Sequence, residues 1–161
     1  MKSLSIATLI TGLAITALAV AGNRTQEYKL DNGLELIVQE DHRAPVAVVQ
    51  VWYRVGSKHE HTGITGSSHW VEHMQFKGTK QYPADSADRE ISRTGGVWNA
   101  MTWIDWTTYY ETMPANKIDL AIKLEADRMA NSLYNKKDVE SERTVIISER
   151  QGYENQPIFL L

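Results

Sequence analysis

Cysteine is absent from all 161 residues of the sequence. The protein therefore has no disulfide, no lipid-modified cysteine after a secretion signal, and no structural zinc site of the cysteine-rich kind. Long blocks of basic residues are also absent, and the net charge is only −3. This charge pattern is typical neither of nucleic-acid-binding proteins nor of proteins with a polybasic patch for membrane surfaces.

The composition is that of a folded protein. Hydrophobic residues make up 42% of the chain and charged residues 23%, which is typical of a globular protein rather than a disordered one. The length is that of one ordinary domain, so a hydrophobic core can form.

An uncharged apolar run follows Lys2 and ends in small residues. Residues 17–19 and 19–21 both satisfy the small-x-small rule for signal peptidase cleavage. We predict that residues 1–21 are a signal peptide, which places the protein outside the cytoplasm, in a bacterial periplasm. The alternative is a retained N-terminal anchor, and we expect membrane association only in that case. Polar residues interrupt the run, which favours cleavage.

Hydrophobic patterns in the rest of the chain predict groups of strands and helices. We expect one hairpin at the turn Asp31-Asn32-Gly33 and another around residues 104–105. The valines and aromatics of residues 46–55 predict a strand buried on both faces, at the centre of a sheet. Helices are expected at residues 68–76, 85–93, 118–133 and about 135–153. This order predicts an α+β fold, with an antiparallel or mixed sheet and helices packed on one face.

The sequence also predicts how the first helix begins and which face of the third helix is buried. Ser67 or Ser68 is expected to cap the first helix. In the third helix, apolar residues recur at intervals of three and four, which predicts one buried face. The residues of that face are Ile118, Ile122, Ala126, Met129 and Leu133.

The first predicted helix contains two histidines four residues apart, His69 and His73. They stand one helical turn from each other, so both imidazoles can reach one metal ion. Glu72 lies beside them and can reach a water on that ion. This H-x-x-E-H pattern reverses the H-E-x-x-H zinc motif and has the same chemical parts. A shuffled chain of this composition would contain about 0.01 such patterns, so chance is a poor explanation.

A catalytic zinc usually has three protein ligands and one water. The last predicted helix offers Glu142 and Glu149, which are seven residues apart and share one face. One of them can bind the metal while the other supports the site. The residue types alone do not decide between the two.

Four blocks of the sequence resemble, in the same order, those of the pitrilysin or insulinase family of zinc metallopeptidases. The resemblance implies that His69, His73 and Glu149 bind one Zn²⁺ ion and that Glu72 is the general base. Glu142 matches a further acidic residue of the family near the metal, so we count it with Glu72 among the catalytic residues. The four blocks are LDNGLELIVQED, VGSKHEHTGITGSSHWVEHMQFKGT, GGVWNAMTWIDWTTYY and ESERTVIISER.

The resemblance also assigns Asn99 and Ala100 to substrate binding, because in the family a peptide pairs with a sheet edge beside the zinc. The implied activity is that of a zinc-dependent endopeptidase, which hydrolyses peptides or small unfolded polypeptides with a zinc-activated water. The alternative is a catalytically silent subunit that binds peptides or stabilises the partner in a two-subunit peptidase.

Chains of this family are usually longer and contain a second, homologous domain that contributes arginine and tyrosine to the substrate site. No such segment follows QPIFLL at the end of this sequence. We therefore expect residues 22–161 to be a partial, N-terminal metallopeptidase domain. Its expected partners are a peptide substrate and a homologous second domain or subunit, without which it is expected to be inactive.

Overall fold

The computed structural model describes residues 25–156. The chain divides into two compact units, and the boundary along the sequence lies between Arg43 and Ala44. The predicted signal peptide, residues 1–21, lies outside the described residues. Within residues 25–156, none of the helices combines the length and the apolar character needed to cross a bilayer.

The first unit contains an antiparallel hairpin of β1 (Thr25–Lys29) and β2 (Glu35–Gln39). Gly33 in its turn has a φ of 87°, a conformation that glycine adopts at little cost. The side-chain oxygen of Asn32 accepts a hydrogen bond from the amide of Leu34 at 3.1 Å. The predicted first hairpin is thus confirmed.

The second unit combines a three-stranded antiparallel sheet with α-helices, which confirms the predicted α+β fold. The sheet has the order β3-β5-β4. Its strands are β3 (Val46–Tyr53), β4 (Val97–Thr102) and β5 (Thr107–Pro114). The helices are α1 (Ser67–Met74), α2 (Ser86–Arg93), α3 (Ile118–Asn131) and α4 (Lys136–Glu154).

The prediction of a central strand buried on both faces at residues 46–55 is wrong. The central strand is β5, which pairs with β3 on one side and with β4 on the other. The side chains of β3 alternate: Val48 and Trp52 are 53% and 55% exposed, whereas Val49 and Val51 are half-buried. Both faces of β3 are apolar, but among the described residues the helices cover only the inner face.

The core lies between the inner face of the sheet and helices α2 and α3. Met113 of β5 packs there against Ile91 of α2 and Leu124 of α3, and each of these side chains is at most 2% exposed. Burial of one such side chain contributes roughly 1.5–3 kcal/mol to stability. These contacts place the helices on one face of the sheet, as predicted.

The predicted buried face of α3 is wrong. Ile122 and Met129 are 51% and 47% exposed. The buried residues of α3 are instead Ala121, Leu124, Glu125 and Arg128. Two of these four are charged, and a hydrophobic pattern assigns charged residues to the solvent side.

Arg128 joins two buried glutamates, Glu125 on its own helix and Glu111 on β5. Its guanidinium contacts the carboxylate of Glu125 and lies 3.5 Å from that of Glu111, which is fully buried. The ring of Tyr109 covers the guanidinium, with 4.4 Å from its carbon to the ring centre. Burial, together with the neighbouring Glu125, raises the pKa of Glu111 to about 9, against the opposing effect of Arg128. Glu111 is therefore protonated at neutral pH.

The pKa of Glu111 predicts a loss of stability with rising pH. Folded protein holds the Glu111 proton more tightly than unfolded protein does, so stability falls between pH 4.5, the ordinary value, and about 9. The free energy of unfolding falls by at most about 1.4 kcal/mol per pH unit in this range. The Glu111→Gln variant cannot ionise there, and its stability should rise relative to that of the parent between pH 5 and pH 8.

Urea unfolding of the parent and of Glu111→Gln at pH 5, 6.5 and 8 measures this difference. Glu90→Gln, at an exposed position of α2, is the control and should follow the parent at every pH. A difference between Glu111→Gln and the parent that does not change with pH would contradict the assignment.

Candidate metal centre

Helix α1 carries the histidine pair, and a glutamate from the preceding loop fixes its start. The carboxylate of Glu60 accepts hydrogen bonds from the amides of Gly66 at 2.7 Å and Ser68 at 2.8 Å. Burial opposes ionisation, but these bonds keep the pKa of Glu60 below its ordinary value. A carboxylate at this end satisfies free amides and suits the helix dipole. The prediction that a serine side chain caps α1 is wrong.

Helix α4 brings Glu149 to the two histidines. The Nε2 atoms of His69 and His73 are 3.1 Å apart, and Glu149 Oε2 lies 3.5 Å and 3.6 Å from them. The point that lies in the plane of these three atoms and at equal distance from them is about 2.0 Å from each, which is the length of a Zn–N or Zn–O bond. Two imidazoles and a carboxylate at this spacing fit a zinc ion. Within residues 25–156, no other cluster of three such side chains has metal-binding spacing.

Glu142 occupies a different position from Glu149. It is 5% exposed, and its Oε2 lies 3.0 Å from Nδ1 of His73, while its Oε1 contacts the ammonium of Lys77. Burial opposes ionisation, but the bonds from Lys77 and His73 lower the pKa of Glu142 below its ordinary value. A carboxylate on the second ring nitrogen fixes the tautomer and orientation of a metal-binding histidine. The geometry is that of a positioning residue, and the catalytic role of Glu142 stays a prediction.

Glu72 lies inside the protein, with 8% of its surface exposed. The pKa of Tyr109 on β5 is raised, mainly by burial and in part by the charge of Glu72. Glu72 therefore lies on a covered flank of α1, next to His73 in sequence and one turn from His69.

Asn99 and Ala100 lie in β4, which forms one edge of the described sheet and contacts α1. The side-chain oxygen of Asn99 accepts a hydrogen bond from the amide of Ala100 at 2.8 Å. That amide is therefore directed away from β5, towards the edge. An extended peptide can pair with backbone groups at such an edge.

Sequence reasoning missed two residues that shape this site, Glu60 and Lys77. Glu60 is six residues from Gly66, and the path of the loop between them is not readable from the sequence. Lys77 follows His73 by four residues, which is one helical turn, and this spacing could have placed it beside the histidine pair.

Comparison with known proteins gives a family and several relatives. Residues 35–160 match the family Insulinase (Peptidase family M16). The chain is 35% identical over 132 residues to a probable mitochondrial-processing peptidase subunit beta of Arabidopsis thaliana, covering 82% of this chain and 25% of that protein. It is also 35% identical to cytochrome b-c1 complex subunit 1 of Bos taurus, covering 79% of this chain and 26% of that protein. Its identity to zinc protease PqqE of Helicobacter pylori is again 35%, covering 82% of this chain and 30% of that protein.

Solved structures agree with this match. A protease from Helicobacter pylori superposes with a TM-score of 0.81 at 33% identity, covering 86% of this chain and 34% of that one. Pitrilysin superposes with a TM-score of 0.76 at 29% identity, covering 84% and 15%. The chain thus spans about a quarter to a third of the length of the curated relatives named above.

We expect the zinc-loaded chain to hold about one zinc ion per molecule, and Glu149→Gln to lose most of it. An amide oxygen is a weaker zinc ligand than a carboxylate, so affinity should fall at least about tenfold. Elemental analysis after dialysis against zinc-free buffer measures the content. Glu140→Gln, exposed on the same helix, should keep the metal. Equal zinc in Glu149→Gln and the parent would remove Glu149 from the ligand set.

Proposed function

The chain belongs to the insulinase family of peptidases, and on that premise we propose that it is the metal-binding domain of a zinc-dependent endopeptidase. The substrates we propose are peptides or small unfolded polypeptides. The observation that carries this proposal is the triangle of His69, His73 and Glu149, with Glu72 beside it on α1. Relatives named as zinc proteases support it.

His69, His73 and Glu149 would hold the ion, which leaves one position for water. A bound zinc ion supplies a water of lowered pKa and polarises the carbonyl of the peptide. Glu72 accepts the proton of the attacking water and passes it to the leaving amine. The Glu142 carboxylate keeps Nε2 of His73 directed at the other two ligands. No covalent enzyme intermediate is required.

Strand β4 is the proposed site of substrate pairing. A carbonyl of a peptide added to this edge would accept the hydrogen bond from the Ala100 amide that the Asn99 side chain now accepts. The side chain of Asn99 would then be free to form a hydrogen bond with the peptide backbone. Contact between β4 and α1 supports this position for the scissile bond.

We further propose that the chain works with a homologous second domain or subunit, outside the cytoplasm. Relatives named as subunits of the mitochondrial-processing peptidase and of the cytochrome b-c1 complex support a partner. The apolar run of residues 1–21 supports secretion. The likeness to a cytochrome b-c1 subunit also favours a second candidate function, that of a silent subunit.

The general base can be tested separately from the metal. We expect Glu72→Gln to keep the zinc content of the parent and to reduce peptide hydrolysis about 10²–10⁴-fold, because proton transfer contributes that much. Cleavage of a quenched fluorescent peptide library by the zinc-loaded chain, assembled with its second domain or subunit, measures the rate, and Glu140→Gln in the same assembly is the control. Undiminished cleavage by Glu72→Gln would remove Glu72 from the mechanism. If the zinc-loaded parent in that assembly binds the peptides and contributes no cleavage, the silent subunit is favoured.

The pairing edge gives a second test. Asn99→Ala should raise KM several-fold and leave zinc content unchanged, because it removes a contact to the peptide and no metal ligand. Gln50→Ala is a matched control, since both Gln50 and Asn99 are paired with Tyr110 from opposite sides of β5. Steady-state kinetics on one cleaved peptide separates KM from kcat. A KM that rises equally in both variants would argue against pairing at β4.

A further inference from the structure

We propose that Lys77 is a positioning residue of the metal centre: its ammonium fixes the buried carboxylate of Glu142, which in turn fixes the tautomer and orientation of the His73 ring. This proposal rests on the metal site proposed above. It concerns a residue that is neither a metal ligand nor a group in contact with substrate.

The two oxygens of Glu142 have different partners. Oε2 lies 3.0 Å from Nδ1 of His73, and Oε1 contacts Nζ of Lys77. Glu142 is 5% exposed, so water cannot replace a lost partner at little cost. Lys77 is the cation that the structure places on this carboxylate, and it therefore determines which oxygen is left for His73.

The backbone on both sides of Lys77 is held in place. On the N-terminal side, the amide of Lys77 itself donates a hydrogen bond to the carbonyl of Met74 at 3.0 Å. On the C-terminal side, the carbonyl of the next residue, Gly78, accepts a hydrogen bond from the amide of Leu133 at 3.0 Å. Gly78 has a φ of 91°, and a Cβ there would lie 2.5 Å from the carbonyl oxygen of Tyr82, so this turn requires glycine.

These contacts tie together the two helices that build the site. Leu133 lies between the end of α3 and the start of α4 at Lys136, and α4 carries Glu142. The loop that presents Lys77 is thus bonded close to the start of the helix that presents its partner. The backbone segments that carry Lys77 and Glu142 are therefore both held in place, which distinguishes this ion pair from a pair of mobile surface side chains.

Without the ammonium, Oε1 of Glu142 has no charged partner and the carboxylate can rotate. His73 then loses a fixed acceptor for its Nδ1–H, and the other tautomer, with the proton on Nε2, becomes accessible. That tautomer cannot offer a lone pair from Nε2 to a metal. Loss of such an outer-shell partner typically lowers metal affinity 10–100-fold.

A double-mutant cycle on the full chain tests whether Lys77 acts through Glu142. Zinc dissociation constants come from competition with a chromophoric chelator. We expect Lys77→Met and Glu142→Gln each to raise Kd about tenfold or more. The double variant should be no weaker than Glu142→Gln alone, because Lys77 then has nothing left to position. The zinc Kd of Lys77→Arg should stay within about threefold of that of the parent. Lys80→Met, at an exposed position three residues further along the chain, should have the same Kd as the parent.

The tautomer of His73 provides a readout that needs neither zinc nor activity. We expect ¹⁵N spectra of the zinc-free chain at pH 8 to show His73 protonated on Nδ1 in the parent and in Lys77→Arg, and a mixture of tautomers in Lys77→Met. Circular dichroism checks folding, and Lys77→Gln replaces Lys77→Met if that variant is unfolded.

Two results would overturn the proposal. One is a His73 tautomer that is the same in the parent and in Lys77→Met, whatever their zinc affinities. The other is a double variant whose zinc Kd exceeds that of Glu142→Gln by the full factor that Lys77→Met alone causes in the parent. A parent that binds no zinc, with a tautomer that still depends on Lys77, would remove the metal site and leave the role of Lys77 intact.

Discussion

The hydrogen bond between His73 and Glu142 joins two helices that are far apart in sequence, and the site depends on it. Glu142 is buried on α4, where a carboxylate is unfavourable without donors. Its bonds to His73 and Lys77 satisfy it and fix how α4 lies beside α1. Glu149 lies two turns further along the same helix, so the contact at Glu142 also sets the distance between Glu149 and the histidines.

Helix α1 has only eight residues, too few for a stable helix in isolation. Groups outside the helix fix both of its ends. Glu60 binds the free amides at the start, and the turn at Gly78, bonded to Leu133, holds the chain just after the end. The two imidazoles therefore stand on a rigid segment, which a metal centre needs if its ligands are to keep a spacing of 3–4 Å.

The sequence predicts much of this site and less of what supports it. A spacing of four places His69 and His73 on one side of any helix, and the resemblance to the family selected Glu149 over Glu142. The support comes from residues whose partners depend on loop paths, as for Glu60, or on the approach of another helix, as for Lys77. The fold shows the same limit. Hydrophobic periodicity located α3 but not its buried face, because Glu125 and Arg128 are buried as an ion pair.

Two buried carboxylates in this protein are accommodated in opposite ways. Glu111 is fully buried and shares Arg128 with Glu125, so burial and the neighbouring acid together keep its proton in place. Glu142 has Lys77 to itself and a histidine N–H as second donor, so it is charged. Only the charged form leaves both oxygens as acceptors. A protonated Glu142 would offer one donor and one acceptor to two donors, and the His73 tautomer would no longer be determined. Burial and the set of partners together separate the two carboxylates: complete burial with a shared cation leaves Glu111 protonated, whereas an unshared lysine and a histidine N–H leave Glu142 charged, so that it can orient a metal ligand.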